Sequence, residues 1–245
     1  MRLPVRLKTR LDTRMPVRMG ARIETRWFRL NEGTTDYISV PDVGVGVGDY
    51  EFKVYIATAN TSKDITILSL FTENDTELLN LLVNFTAGSG TLKLVSAGVT
   101  PGNGTISIID NKIHEIKLVK SGNDFSIFVD GTLDYTVTHA DPSRLRDTYS
   151  AVIGARKMND NSPIANHINA VMFDAEFSVG GVPSRYYPIN DNSSTIIDTV
   201  SGQNGTVING KPDDWGLFEK LPNGNWRGIN LSAAWDSPNQ ILEVA

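Results

Sequence analysis

The sequence predicts an all-β protein, a jelly-roll β-sandwich preceded by an extended N-terminal β arm. Two observations carry this. Residues 1–27 alternate apolar and polar positions without a break. From residue 31 onward, short runs of strand-forming residues recur between Gly, Asn and Asp turns, with almost no helical periodicity.

The arm comes first. Its odd positions are all apolar or threonine and include Leu3, Val5, Leu7, Leu11, Met15, Val17, Met19, Ile23 and Trp27. Its even positions place arginine at every fourth residue: Arg6, Arg10, Arg14, Arg18, Arg22 and Arg26 follow Arg2. A period of two gives an extended chain one chemistry per face. At about 3.3 Å per residue the arm reaches ~90 Å. A strand that long with a bare apolar face needs a cover.

A leader, a helix and a loose tail each fit residues 1–27 less well than a strand does. There is no contiguous apolar core for a secretory signal. On a helix the arginines would drift around the circumference, and Pro16 would break it. A disordered basic tail would lack the strict alternation. Pro4 and Pro16 both fall on the arginine face, which disfavours a central strand and suits a lone arm or strands wound about an apolar axis.

Charge is unevenly placed. The chain carries −5 overall and residues 1–30 carry +7, which leaves −12 for the remainder. A basic arm on an acidic body suits docking on an acidic neighbour or on another copy. Nucleic acid is disfavoured, because only Trp27 and Phe28 could stack and the other face is aliphatic. No cysteine is present, so disulfides and thiolate metal sites are excluded. No run approaches the ~20 apolar residues of a membrane span.

In the body, strands are expected at 37–40, 50–57, 65–71, 78–85, 91–96, 105–109, 114–120, 125–129, 133–138, 151–153 and 170–179. Residues 142–147 could hold one helical turn. Ile116, Leu118, Phe125, Ile127, Val129, Val152, Met172 and Phe177 are expected to face inward, between two sheets. A short edge strand is expected at 206–208, between Asn204-Gly205 and Asn209-Gly210 turns. The run Val43-Gly-Val-Gly-Val-Gly48 lacks the lysine and helix of a phosphate loop and predicts a flexible loop.

The run from His114 to Gly131, HEIKLVKSGNDFSIFVDG, resembles the central hairpin of laminin-G-like, concanavalin-A-like lectin domains. In that hairpin an alternating strand, a short Gly/Asn turn and an aromatic-Val-Asp-Gly ending follow one another. Residues 31–41 are similar to the opening strand of that family, 151–156 to its small-residue strand and 170–179 to its closing strand, in family order. The segments 191–210 and 213–216 are similar to a stretch that follows such domains. The resemblance implies a concanavalin-A-like sandwich with sugar-binding loops, of a kind common in phage structural proteins. The short period of the arm is similar in style to fibrous segments of virus fibres, which are commonly trimeric. The organisation expected is an arm over 1–30, a sandwich over 31–216 and an irregular tail over 217–245.

Chemistry is sparse. Asp174 and Glu176 alternate along one strand as carboxylates of some glucanases on this scaffold do, and Asp49 and Glu51 do so elsewhere. Met172 and Ser178 break the register of a third acid, so the pair is expected to be a solvent-facing one and the protein not an enzyme. His114, His139 and His167 show no metal-ligand spacing, and His114 is expected to be structural. Glycan-binding groups are expected at Asn159, Asp160, Asn161, Asp214 and Trp215, where amides and carboxylates could take hydroxyls and Trp a sugar face. No cofactor is required. Ca²⁺ is an optional ion for such loops.

These observations predict a virion protein, a fibre or capsid decoration, anchored or trimerised through its arm on coat or tail proteins. Its sandwich would be presented to a cell-surface glycan. The alternative is a freestanding carbohydrate-binding module.

Overall fold

The computed structural model describes residues 24–30, 35–43, 45, 48–58, 64–72, 77–84, 89–96, 102–139, 149–156, 167–189, 193–232, 235, 237 and 239–245. They form two antiparallel sheets packed face to face, as a concanavalin-A-like jelly roll. One sheet runs β10 (Thr132–Thr138), β9 (Asp124–Val129), β8 (His114–Ser121), β3 (Tyr50–Ala57), β12 (Ala170–Val179), β1 (Glu24–Leu30), β16 (Trp215–Lys220), β17 (Trp226–Gly228) and β18 (Ile241–Leu242). A tenth strand, β13 (Val182–Pro188), also pairs with β12. The second sheet runs β14 (Thr195–Ile196), β15 (Gly205–Ile208), β2 (Tyr37–Val40), β11 (Tyr149–Ile153), β4 (Ile65–Thr72), β5 (Glu77–Asn84), β6 (Thr91–Ser96) and β7 (Gly102–Ser107).

Alternation drives the assembly. Tyr50, Phe52, Val54 and Ile56 of β3 point into the core, while Glu51, Lys53 and Tyr55 are only partly buried on the other face. Ile116 and Leu118 of β8 and Phe125, Ile127 and Val129 of β9 do the same. Register is set by tight turns. Asp130 and Gly131 both take positive φ, 50° and 76°, as a two-residue hairpin turn of matching twist requires. At the far edges, the backbone N–H groups of Thr105 and Ile106 donate to Asp134 Oδ1 at 2.7 and 3.1 Å, which ties β7 to β10 and closes one side of the sandwich.

Several expectations differ from the structure. Residues 24–30, placed by the sequence in the free arm, are a strand inside the ten-stranded sheet, between β12 and β16. Residues 217–245 are not simply irregular, since they complete β16 and supply β17 and β18. Val43 and Val45, expected in a flexible loop, are fully buried in the main core. Val152 is buried, but against Phe71, Ala155 and Tyr37 rather than between the sheets; its neighbours Ala151 and Ile153 take the core side. Residues 205–208 are not an edge, because β14 pairs outside them. Strands β13, β14, β16, β17 and β18 are additional to those expected. The helical turn expected at 142–147 lies outside the described residues.

A second, smaller core forms on the outer face of the ten-stranded sheet. The chain beyond β16 folds back so that Leu231, Trp235 and Leu242 cover Trp27, Val171 and Phe218. The return is anchored by the N–H of Ile113 donating to Glu243 O at 2.7 Å and that of Ala245 to Ile113 O at 3.2 Å. This covered end leaves the middle of the same face open.

Candidate functional site

Of the sugar-binding candidates, Asp214 and Trp215 fall within the described residues. Asn159, Asp160 and Asn161 lie outside the described residues, as do the arm residues Leu3, Val5, Leu7, Leu11, Met15, Val17, Met19, Ile23, Arg6, Arg10, Arg14, Arg18 and Arg22. The backbone of Arg26 is paired with Leu217. Trp27 is fully buried by the protein's own C-terminal segment rather than left for another chain. Asp214 is also buried, and its Oδ2 accepts from the Lys211 N–H at 2.6 Å, which caps a single 3₁₀ turn, Pro212–Asp214. Trp215 leans on Phe28, ring centroids 4.9 Å apart, and borders a hollow of about 160 Å³ with Ile197 and Thr199. Asp214 therefore serves the fold, and Trp215 is only partly available to a ligand.

The histidines are packed into structure. His114 is buried with Nδ1 2.8 Å from Asp130 Oδ2 and Nε2 2.9 Å from Asp110 Oδ1. His139 lies 3.5 Å from the Ser96 hydroxyl, and His167 3.4 Å from Asp36 O. Asp49 turns to the β8–β9 hairpin, accepting from Gly122 N–H at 2.7 Å, and so does not join Glu51. Among the described residues, no group of three or more His, Asp or Glu is arranged to hold a metal. No helix among them is long and apolar enough to cross a membrane.

What the structure brings together is a groove on the open part of the ten-stranded sheet. Lys53, Tyr55, Asp174, Glu176, Pro183, Tyr186 and Val200 line a cavity of about 330 Å³. A bulge in β12 builds it. Met172 pairs with Ile56 and Asp174 with Tyr55, so Phe173 is an extra residue in the ladder. Met172 and Ala175 enter the core, while Phe173 and Asp174 both lie on the outer side. The bulge thus sets a carboxylate beside an aromatic run. Tyr55 stacks on Phe173 (centroids 5.2 Å), Phe173 on Trp27 (4.4 Å) and Trp27 on Phe218 (4.4 Å).

Antiparallel register places the polar partners. Glu176 faces Lys53 on one side and Tyr186 on the other. Lys53 Nζ lies 3.5 Å from Glu176 Oε2, and the Ser178 hydroxyl donates to Glu176 Oε1 at 2.9 Å. The Tyr55 hydroxyl donates to Glu115 Oε2 at 2.6 Å. The Tyr186 phenol neighbours Asp174 in the groove. Burial pushes the Asp174 carboxyl up to about 6, against the influence of the Tyr186 hydroxyl and the charge of Lys53, and with help from Glu176. Burial, with the charge of Asp174 next, pushes the Tyr186 phenol up to about 12, and Tyr55 is raised by burial and Glu115. Both phenols are neutral donors near neutral pH.

The wall over Tyr186 is held by Asp198. Its carboxylate accepts from the N–H of Tyr186 and of Val200, each at 3.0 Å, from Ser201 N–H at 3.0 Å, and from the Ser201 hydroxyl. Burial raises this carboxyl, but those bonds hold it below the ordinary carboxylate range. The sequence offered one signal of the groove, the Asp174/Glu176 alternation. It did not show the bulge or the approach of β13.

Two antiparallel sheets packed face to face as a jelly roll define a β-sandwich of concanavalin-A-like architecture. Among solved structures, a candidate carbohydrate-binding protein from Bacteroides ovatus superposes with a TM-score of 0.54 at 16% identity, over 75% of this chain and 58% of that one. A heptameric pentraxin from Limulus polyphemus gives a TM-score of 0.49 at 14% identity, over 63% of this chain and 75% of that one. A galectin from Caenorhabditis elegans gives 0.41 at 15% identity, over 63% and 96%. The chain thus spans under two thirds of the Bacteroides protein, and the likeness is one of fold. No protein-family model and no curated protein matches the sequence.

Proposed function

We propose that the protein binds carbohydrate through the groove between β3, β12 and β13. The observation that carries this is the convergence of Tyr55, Tyr186, Asp174 and Glu176 on one cavity. Phenol rings supply apolar faces for sugar C–H groups, and carboxylates accept from sugar hydroxyls. A cavity of about 330 Å³ matches the small end of ligand sites. The Bacteroides protein, itself a candidate binder of carbohydrate, shares the fold. Along β12, Met172 is turned into the core and the Ser178 hydroxyl is bonded to Glu176, so neither position adds a carboxylate to the pair.

A glycan array probed with the full chain tests this. Retention of defined glycans, weakened at least ~10-fold by Tyr186→Ala or Tyr55→Ala, is the expected result. Binding untouched by both variants would move the site elsewhere.

The alternation of residues 1–23 favours a second element, display of the sandwich from a larger assembly. A viral fibre or capsid-decoration protein, trimerised through the arm or docked on coat or tail subunits, is the assembly that pattern suits. Residues 24–30 belong to the sheet, so the docking segment is the part that precedes Glu24.

A further inference from the structure

Within the groove, the two carboxylates are unequally neutralised. Glu176 has Lys53 Nζ at 3.5 Å and the Ser178 hydroxyl at 2.9 Å. Asp174 lies two residues away on the same face of β12, partly buried beside the neutral Tyr186 phenol, with no ion pair among the described residues. Glu115 lies beyond Tyr55 on β8, accepting from its hydroxyl, and Lys117 is spread between Glu51 at 3.8 Å and the Phe128 ring at 5.0 Å. A half-desolvated carboxylate flanked by another is uncomfortable as an anion, and a donor cation set against it relieves both. The chain outside the basic arm carries −12, so the long-range field also favours cationic over anionic ligands.

We infer that the groove selects a sugar bearing a free amine, whose ammonium is held by Asp174 with Glu176 alongside, over N-acetylated, neutral or uronate sugars. The inference rests on the groove being the glycan site. The ammonium would lie against Asp174, whose carboxylate oxygens offer lone pairs to N–H donors. The sugar ring would cover Tyr55 or Tyr186. Acetylation removes the charge and adds bulk where the carboxylate needs a donor. A uronate would put like charge against Asp174 and Glu176.

Titration calorimetry of the full chain at about pH 6.5, with a glucosamine tetramer, its N-acetylated form, a glucose tetramer and a uronate tetramer, tests this. The expected result is at least ~10-fold tighter binding of the glucosamine tetramer than of the other three. Asp174→Asn should remove that preference, weakening the glucosamine tetramer more than the glucose tetramer until the two bind within ~3-fold of one another. Glu176→Gln is the second variant and should reduce the preference in part, with circular dichroism showing that both variants keep their strands. Binding of the glucose or N-acetylated tetramer without an amine preference, or a preference that survives Asp174→Asn, overturns the amine inference and leaves the groove intact. Failure of all four tetramers to bind overturns both.

Discussion

Trp27 stacks on Phe218 with ring centroids 4.4 Å apart and planes 15° from parallel, although 190 residues separate them in the sequence. The strands that carry them, β1 and β16, pair directly, with Thr25 opposite Phe218 and Trp27 opposite Gly216. The start and the end of the described chain therefore pack into one layer.

Replacing Trp27 with Ala should remove the centre of that layer and cost about 3–5 kcal/mol. Thermal denaturation followed by circular dichroism would show a midpoint lower by roughly 10 °C for a domain of this size. Leu133→Ala, at a site 53% exposed, serves as control and should fall within ~0.5 kcal/mol of wild type. Equal midpoints for the two variants would contradict the second core.

Asp174→Asn should stabilise the protein above about pH 6. The folded-state value is raised from 3.8 to about 6, so the native state holds its proton more tightly than the unfolded chain. Stability contributed by that proton is complete at low pH and is lost as pH rises between those two values. The amide variant lacks this loss. Urea titrations at pH 8 should favour the variant by on the order of 1 kcal/mol, a gap that closes toward pH 4. A variant less stable than wild type at pH 8 would show that the carboxylate is better compensated than its surroundings imply.

Asp198 has the opposite sign. Its folded-state value is lowered, so its contribution is present above the unfolded value of 3.8 and lost as pH falls through the folded one. Asp198→Ala strands the N–H groups of Tyr186, Val200 and Ser201 and should cost about 2–4 kcal/mol at neutral pH. The deficit should shrink in acid. Hydrogen exchange offers the local readout, with faster exchange at Val200 and Ser201 than at β8. Unchanged exchange there would mean that the loop is held by its other contacts.

Assembly through residues 1–23 is checked by light scattering on the full chain and on a chain beginning at Glu24. The full chain is expected to run as an oligomer, the trimer preferred, and the shortened chain as a monomer. Identical monomers would exclude self-association by the arm and leave docking on a different protein. The cut has to precede Glu24, because removing residues through Trp27 would also open the sheet.

Local chemistry made much of the sandwich legible. The strands at 50–57, 91–96 and 170–179 coincide with β3, β6 and β12, because alternation and turn residues act over a few positions. All eight expected inward residues are buried for the same reason, though Val152 packs on the outer side. Alternation at Trp27 was equally legible, but a periodic apolar face does not say what covers it. The partner proved to be Phe218, Leu231 and Trp235 of the same chain.

The fold class, the hairpins and the polarity of each strand face follow from the order of residues, since these depend on a two-residue period and on φ-tolerant turns. The groove is a product of packing. Asp174 and Glu176 became part of a site only when the Phe173 bulge shifted the register against β3, and when pairing with β13 brought Tyr186 alongside. Asp198 then closed the wall from a loop beyond β14. Those are contacts between segments far apart in the chain, selected by how the two sheets pack, and no local pattern of residues encodes them.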